Sequence, residues 1–184
     1  MPPHRRPLLS LLALLALLLL TVGVSACGYE SDSTHVTEGE SVELGELKYI
    51  VTFSRYLNPN DNEDEAYLVG QKEAPEGESY FGVFFEVQNE SDEPQVLPST
   101  LTITDVDENE FEVLPSESIF ALPFDGEVES EEQIPRLDTA AQLGPIEGSL
   151  AIFLLPESAS ENRPLTLHIP ATDDEEGAEV TLDL

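Results

Sequence analysis

The sequence predicts an all-β fold, a sandwich of short antiparallel strands behind an exported N-terminus, and three observations carry that expectation. Apolar residues recur with a period of two in run after run, the pattern of strands with one face buried. Of the 14 prolines, three fall in the first seven residues and the rest lie mostly between those runs, where a missing N–H does least harm. No window longer than about two turns has the spacing of an amphipathic helix.

The N-terminal segment has a different order. Arg5 and Arg6 supply positive charge, Leu8 to Leu20 is apolar apart from Ser10, and Val22-Gly23-Val24-Ser25-Ala26 is a small-residue stretch before Cys27. The apolar run, about 13 residues, falls short of the roughly 20 that span a bilayer core. This order is that of a secretory signal over residues 1–26. Val24-Ser25-Ala26-Cys27 resembles a bacterial lipobox. The resemblance implies cleavage between Ala26 and Cys27, a diacylglyceryl group on the Cys27 thiol, and attachment to the outer, extracellular face of the cell membrane. The physical logic agrees, since small residues give a peptidase room at the backbone and a two-chain lipid holds where one chain binds only marginally. An uncleaved apolar anchor is the competing reading, and it leaves the rest of the chain on the same face. Arg5-Arg6 also admits twin-arginine export, although His4 and Pro7 match that signal poorly.

Charge narrows the function classes. The 184 residues hold 7 Lys plus Arg against 38 Asp plus Glu, a net charge of -31. Both leader arginines leave on cleavage, so the mature chain carries 5 minus 38, or -33. That sign argues against nucleic acid as a partner, because each phosphate contact needs a Lys or Arg. The single cysteine excludes an intrachain disulfide framework and Cys-based zinc knuckles. Acidic runs read as solvated faces. They also fit a salty habitat, where screening shrinks to about 3 Å at 1 M and repulsion costs little.

Gly28 to Gly45 is polar, acidic and without periodicity, so residues 27–45 read as the lipidated cysteine and a disordered, flexible tether reaching on the order of 20 to 25 Å. Residues 46–184 read as the sandwich. Leu47, Tyr49, Val51 and Phe53 alternate with polar residues. Phe81, Val83, Phe85 and Val87 do the same, with Glu86 and Gln88 opposite and the turn Asn89-Glu90-Ser91-Asp92-Glu93-Pro94 after them. Leu101 and Ile103 pair with Phe111 and Val113 as a hairpin. Leu150 to Leu155 is apolar on both faces and reads as a central strand. Leu165, Leu167 and Ile169 alternate, as do Val180, Leu182 and Leu184. Asp138 to Leu143 fits one short helical turn. Strands of this length with turns between them suggest an immunoglobulin-like β-sandwich, without the Cys-Trp-Cys core of true immunoglobulins.

The segment order from Leu47-Lys48-Tyr49 through Tyr80 to Asn89, Ser91-Asp92-Glu93-Pro94 and the Thr102-Ile103-Thr104-Asp105 to Phe111 hairpin is similar to the telokin-like, immunoglobulin-like domains of unknown function on bacterial surface lipoproteins. The resemblance covers roughly 46–169. It implies a fold and a location, and it brings no catalytic residues.

The chain shows little equipment for catalysis. Beyond the leader only His35 and His168 remain, the first in the tether and the second on the outward face of its strand. Ser149 in Glu147-Gly148-Ser149-Leu150 lacks the second glycine of a nucleophile elbow. Lys48, Lys72, Arg55, Arg136 and Arg163 read as partners of nearby acids or as cover for apolar surface through their stems. Asp105, Asp107 and Asn109 match the first three ligand positions of a calcium loop. Glu110 then stands where the turn needs Gly, and Ser116 where a bidentate Glu belongs. Asp61 to Glu65 and Asp173 to Glu176 are acidic loops of the same kind. The leading expectation is a non-enzymatic, lipid-anchored surface protein acting as an interaction or structural module with a protein or cell-wall partner, and needing no cofactor. The alternative is an extracellular ligand-binding module responsive to divalent cations, binding calcium weakly through acidic loops. A hydrolase built on two carboxylates is a third reading.

Overall fold

The alternating runs form strands, and the strands form two five-stranded sheets in the computed structural model, which describes residues 34–171 and 176–182. The signal segment, Ala26 and Cys27 lie outside the described residues. In the first sheet the order is β1 (His35–Thr37), β12 (Ala178–Leu182), β11 (Leu165–Ile169), β6 (Thr102–Thr104) and β7 (Glu110–Glu112). The second runs β10 (Ser149–Pro156), β4 (Glu78–Asn89), β3 (Leu47–Tyr56) and β2 (Ser41–Leu44), with β9 (Gln133–Ile134) also on β4. A separate pair joins β5 (Gln95–Val96) to β8 (Glu127–Val128). Every one of these pairings is antiparallel except that of β1 with β12. The all-β, antiparallel sandwich is therefore the fold.

The period-two residues meet where the two sheets face each other. Tyr49, Val51, Phe81, Val83, Phe85, Val87, Phe153 and Leu155 from one sheet pack with Ile103, Leu165, Leu167, Ile169 and Val180 from the other. Burying such side chains supplies roughly 1.5–3 kcal/mol each, the main force holding the sheets together. The alternation breaks once, at a bulge in β3. Val51 stands opposite Phe85 but Phe53 stands opposite Phe84, so Thr52 is an extra residue. Phe53, expected on the core face, turns outward instead, and Ser54 takes the inward place.

The second sheet is covered on its far face as well. Leu57, Tyr67, Tyr80, Phe84, Phe120, Ala141, Leu150 and Ile152 form a second apolar cluster there. α1 (Asn62–Tyr67), α2 (Ala140–Leu143) and the segment 114–124 supply its cover. Tyr67 lies edge-on to Phe84 and to Phe120, with ring centroids 5.3 and 4.9 Å apart. Gly82 in β4 leaves room for this layer, because a Cβ there would come within 3.0 Å of Leu150 and 3.2 Å of Leu57.

Two expectations are corrected here. β10, the all-apolar run from Leu150, is the edge of its sheet and not a central strand. Its two apolar faces reflect two covered faces, and its outer edge is closed by a chain segment: Leu122 N donates to Leu150 O (2.8 Å), Leu150 N to Phe120 O (2.7 Å) and Leu114 N to Ile152 O (2.7 Å). The second correction concerns residues 35–44, expected to be part of the tether. β1 and β2 belong to the sandwich, with Val36 and Val42 buried in its core. Glu38 N donates to Thr181 O (2.9 Å), Gly39 N to Val51 O (2.8 Å), and the Glu38 carboxylate accepts from Ser54 N (3.1 Å) and Ser54 Oγ (2.5 Å). Strands this short bury one side chain each, which is too few to show as periodicity.

Candidate functional site

The calcium-like loop sits between β6 and β7, as the hairpin expectation requires. Asp105 is nearly buried there, and its carboxylate is surrounded by N–H donors. Oδ1 accepts from the backbone N–H of Asp107 and of Asn109, both at 3.0 Å, and from Asn109 Nδ2 at 3.1 Å. Oδ2 accepts from Asn109 Nδ2 at 2.9 Å and from Asn162 Nδ2 at 3.4 Å. The Asn109 side-chain amide holds the Asp105 carboxyl below the usual carboxylate range. Burial opposes the shift, and the Asn109 N–H, the Asn162 amide and the Asp107 N–H add to it. Asp107 joins through Asn162, whose Nδ2 also donates to Asp107 Oδ2 at 3.1 Å. The three predicted ligands are thus neighbours, but Asn109 presents its NH2 group and not its oxygen to Asp105. Among the described residues, no group of three or more His, Cys, Asp or Glu side chains is placed to hold a metal ion.

The acidic run Asp61 to Glu65, expected to be a loop, is the start of α1. Asp61 caps the helix by accepting from Glu63 N at 2.9 Å. Asp64, one turn in, is buried and paired with Arg55 of β3, whose Nη1 donates to Oδ2 at 2.8 Å and whose Nη2 donates to Oδ1. Asn58 N also donates to Asp64 Oδ2, at 2.6 Å. These bonds to Asp64 raise the Arg55 pKa above its ordinary value, against the desolvation that lowers it. The other cations also meet oxygens: Lys48 Nζ is 3.6 Å from Glu90, Arg136 Nε is 3.4 Å from Glu132, and Arg163 Nε donates to Ser160 O at 2.8 Å. Lys72 lines a cleft of about 500 Å³ together with Tyr80, Leu114, Pro115 and Leu154.

Neither histidine faces Ser149. That serine is buried at the head of β10, opposite Phe85. His35 and His168 lie on the other sheet, in β1 and β11. His168 faces outward as its alternation predicts. His35, expected in the tether, is instead a strand residue. Both stand beside Glu179 of β12, a meeting point that nothing in the linear sequence marks, because only the strand register brings the three together.

No protein-family model and no curated protein matches the chain. Solved structures do match in fold. The yjhA protein of Bacillus subtilis superposes with a TM-score of 0.53 at 14% identity, over 80% of this chain and 99% of its own. An uncharacterized β-sandwich protein from Clostridium difficile 630 gives 0.48 at 14% identity, over 83% and 95%. A functionally unknown protein from Listeria monocytogenes EGD-e gives 0.47 at 9%, over 78% and 80%. At these identities the likeness concerns the fold alone.

Proposed function

We propose that this protein is a lipid-anchored component of the bacterial cell surface, held at the outer face of the membrane through a diacylglyceryl group on Cys27, with a telokin-like sandwich serving as a non-enzymatic interaction or structural module. The observation that carries this reading is Val24-Ser25-Ala26-Cys27 directly after a charged and then apolar leader. A sandwich whose buried carboxylates are engaged in holding loops and helix ends supports the non-enzymatic part of it. β1, the first described strand, begins at His35, eight positions after Cys27.

Metabolic labelling with an alkyne fatty acid tests the anchor. Label is expected on the wild-type chain and lost in Cys27→Ala, and equal labelling of both would overturn the proposal. Crosslinking on intact cells tests the module, with a defined envelope protein or wall polymer as the expected product.

A further inference from the structure

The cleft that Lys72 lines is built from three segments bonded to one another. Tyr80 of β4 and Leu154 of β10 are cross-strand partners on the far face of the second sheet. Leu114 and Pro115 begin the segment that covers that face, and the loop after α1 supplies Gln71 and Lys72. Tyr80 Oη donates to Lys72 O (2.8 Å), Gln71 Nε2 to Pro115 O (2.7 Å) and Leu114 N to Ile152 O (2.7 Å). Gly70 packs so closely on Glu117 that a Cβ there would come within 2.9 Å of the glutamate Cγ. A cleft of about 500 Å³ held in this way is formed before anything enters it, and its size is that of a small-ligand site.

Charges of both signs line this apolar cleft. Among the described residues, Lys72 is the one cation whose side chain meets no oxygen, since Lys48, Arg55, Arg136 and Arg163 are all engaged. In a chain with 38 acids, the fold leaves this ammonium open to a ligand. Glu73 and Glu117 line the same cleft. Two further groups have hydrogen-bonding capacity to spare. Ser116 Oγ accepts from Ser118 N at 3.2 Å and keeps its own hydrogen to donate, while Gln71, bonded through Nε2, keeps Oε1 to accept.

We propose that the cleft binds a short apolar peptide with free ends. Its carboxylate meets Lys72, its ammonium meets Glu73 and Glu117, and its side chains lie against Leu114, Pro115, Leu154 and the Tyr80 ring. Ser116 donates to the peptide carbonyl, and Gln71 accepts from the peptide N–H. An anionic ligand would face the two glutamates without a partner for them, and a cationic one would leave Lys72 unpaired. A ligand charged at both ends answers both, and with no net charge it escapes the long-range repulsion of a molecule at -31. The site goes beyond the anchoring role and does not depend on lipid at Cys27, so either reading can fail without the other.

Calorimetric titration of the dipeptide Leu-Leu into the full-length chain in detergent tests the site, with a titration into detergent alone as the baseline. One dipeptide per chain is expected. Blocking the carboxylate as the amide, or the amine by acetylation, should each weaken binding about fivefold. Gly-Gly, which keeps both charges and lacks the apolar side chains, should bind at least tenfold more weakly. In Lys72→Met the acid and the amide should bind equally, and in the Glu73→Gln/Glu117→Gln double variant the free and acetylated amines should do so. No binding of Leu-Leu, equal binding of Leu-Leu and its amide by the wild type, or a preference for the acid that persists in Lys72→Met would each overturn the site. All three substituted side chains are exposed, and melting curves show that the variants fold. Should one fail to fold, the blocked dipeptides on the wild-type chain decide the question.

Discussion

Asp64 is one acid among 38, yet its carboxylate is buried, bridged to both terminal nitrogens of Arg55 and capped by the N–H of Asn58. Removing it leaves the Asn58 N–H without its acceptor and the Arg55 guanidinium with only Tyr56 O at 3.2 Å and Glu63 at 3.8 Å. Asp64→Ala is therefore expected to cost about 3 kcal/mol, read as a shift in the midpoint of denaturant unfolding. Glu65→Ala, at the exposed neighbouring position, should stay within about 0.5 kcal/mol. If the two variants unfold alike, the ion pair contributes nothing. Nothing within Asp61 to Glu65 distinguishes Asp64 by sequence, because the partner that selects it comes from another element. The same is true of Glu179, picked out from other acids by two histidines of neighbouring strands. The Asp105 loop was more legible, since its Asp-x-Asp-x-Asn spacing placed a tight turn correctly even though amide donors occupy the carboxylate.

At the scale of elements, strands long enough to repeat their pattern were readable and short edge strands were not. β3, β4, β11 and β12 follow their apolar alternation, apart from the bulge that turns Phe53 outward. β1 and β2 were missed because each offers a single buried valine. Those valines give the corrected boundary a test. Val36→Ala and Val42→Ala should each cost about 2 kcal/mol, and a chain starting at Glu46 should melt well below one starting at Thr34. Equal melting temperatures would return the segment to the role of a linker. β10 shows a different limit: an apolar run on both faces reports that both faces are covered, and it is silent on how many strand neighbours lie beside it.

The 184 residues carry a net charge of -31, with Lys and Arg too few to neutralise it. Self-repulsion at that charge opposes the compact state and is screened by salt. Raising sodium chloride from about 10 mM to about 1 M should therefore stabilise the fold by about 1–2 kcal/mol, a rise of roughly 3–8 °C in melting temperature. A flat response in calorimetry would mean that the acids lie too far apart to repel one another. The sequence by itself determined the all-β sandwich and where its longer strands lie along the chain, because alternation and turns are written in consecutive residues. Only the tertiary structure decided that His35–Thr37 and Ser41–Leu44 belong to the sandwich, that one sheet is covered on both faces, and that two histidines share Glu179. Each of those depends on contacts between residues far apart in the chain, and the register that joins them is set by the packing of the whole.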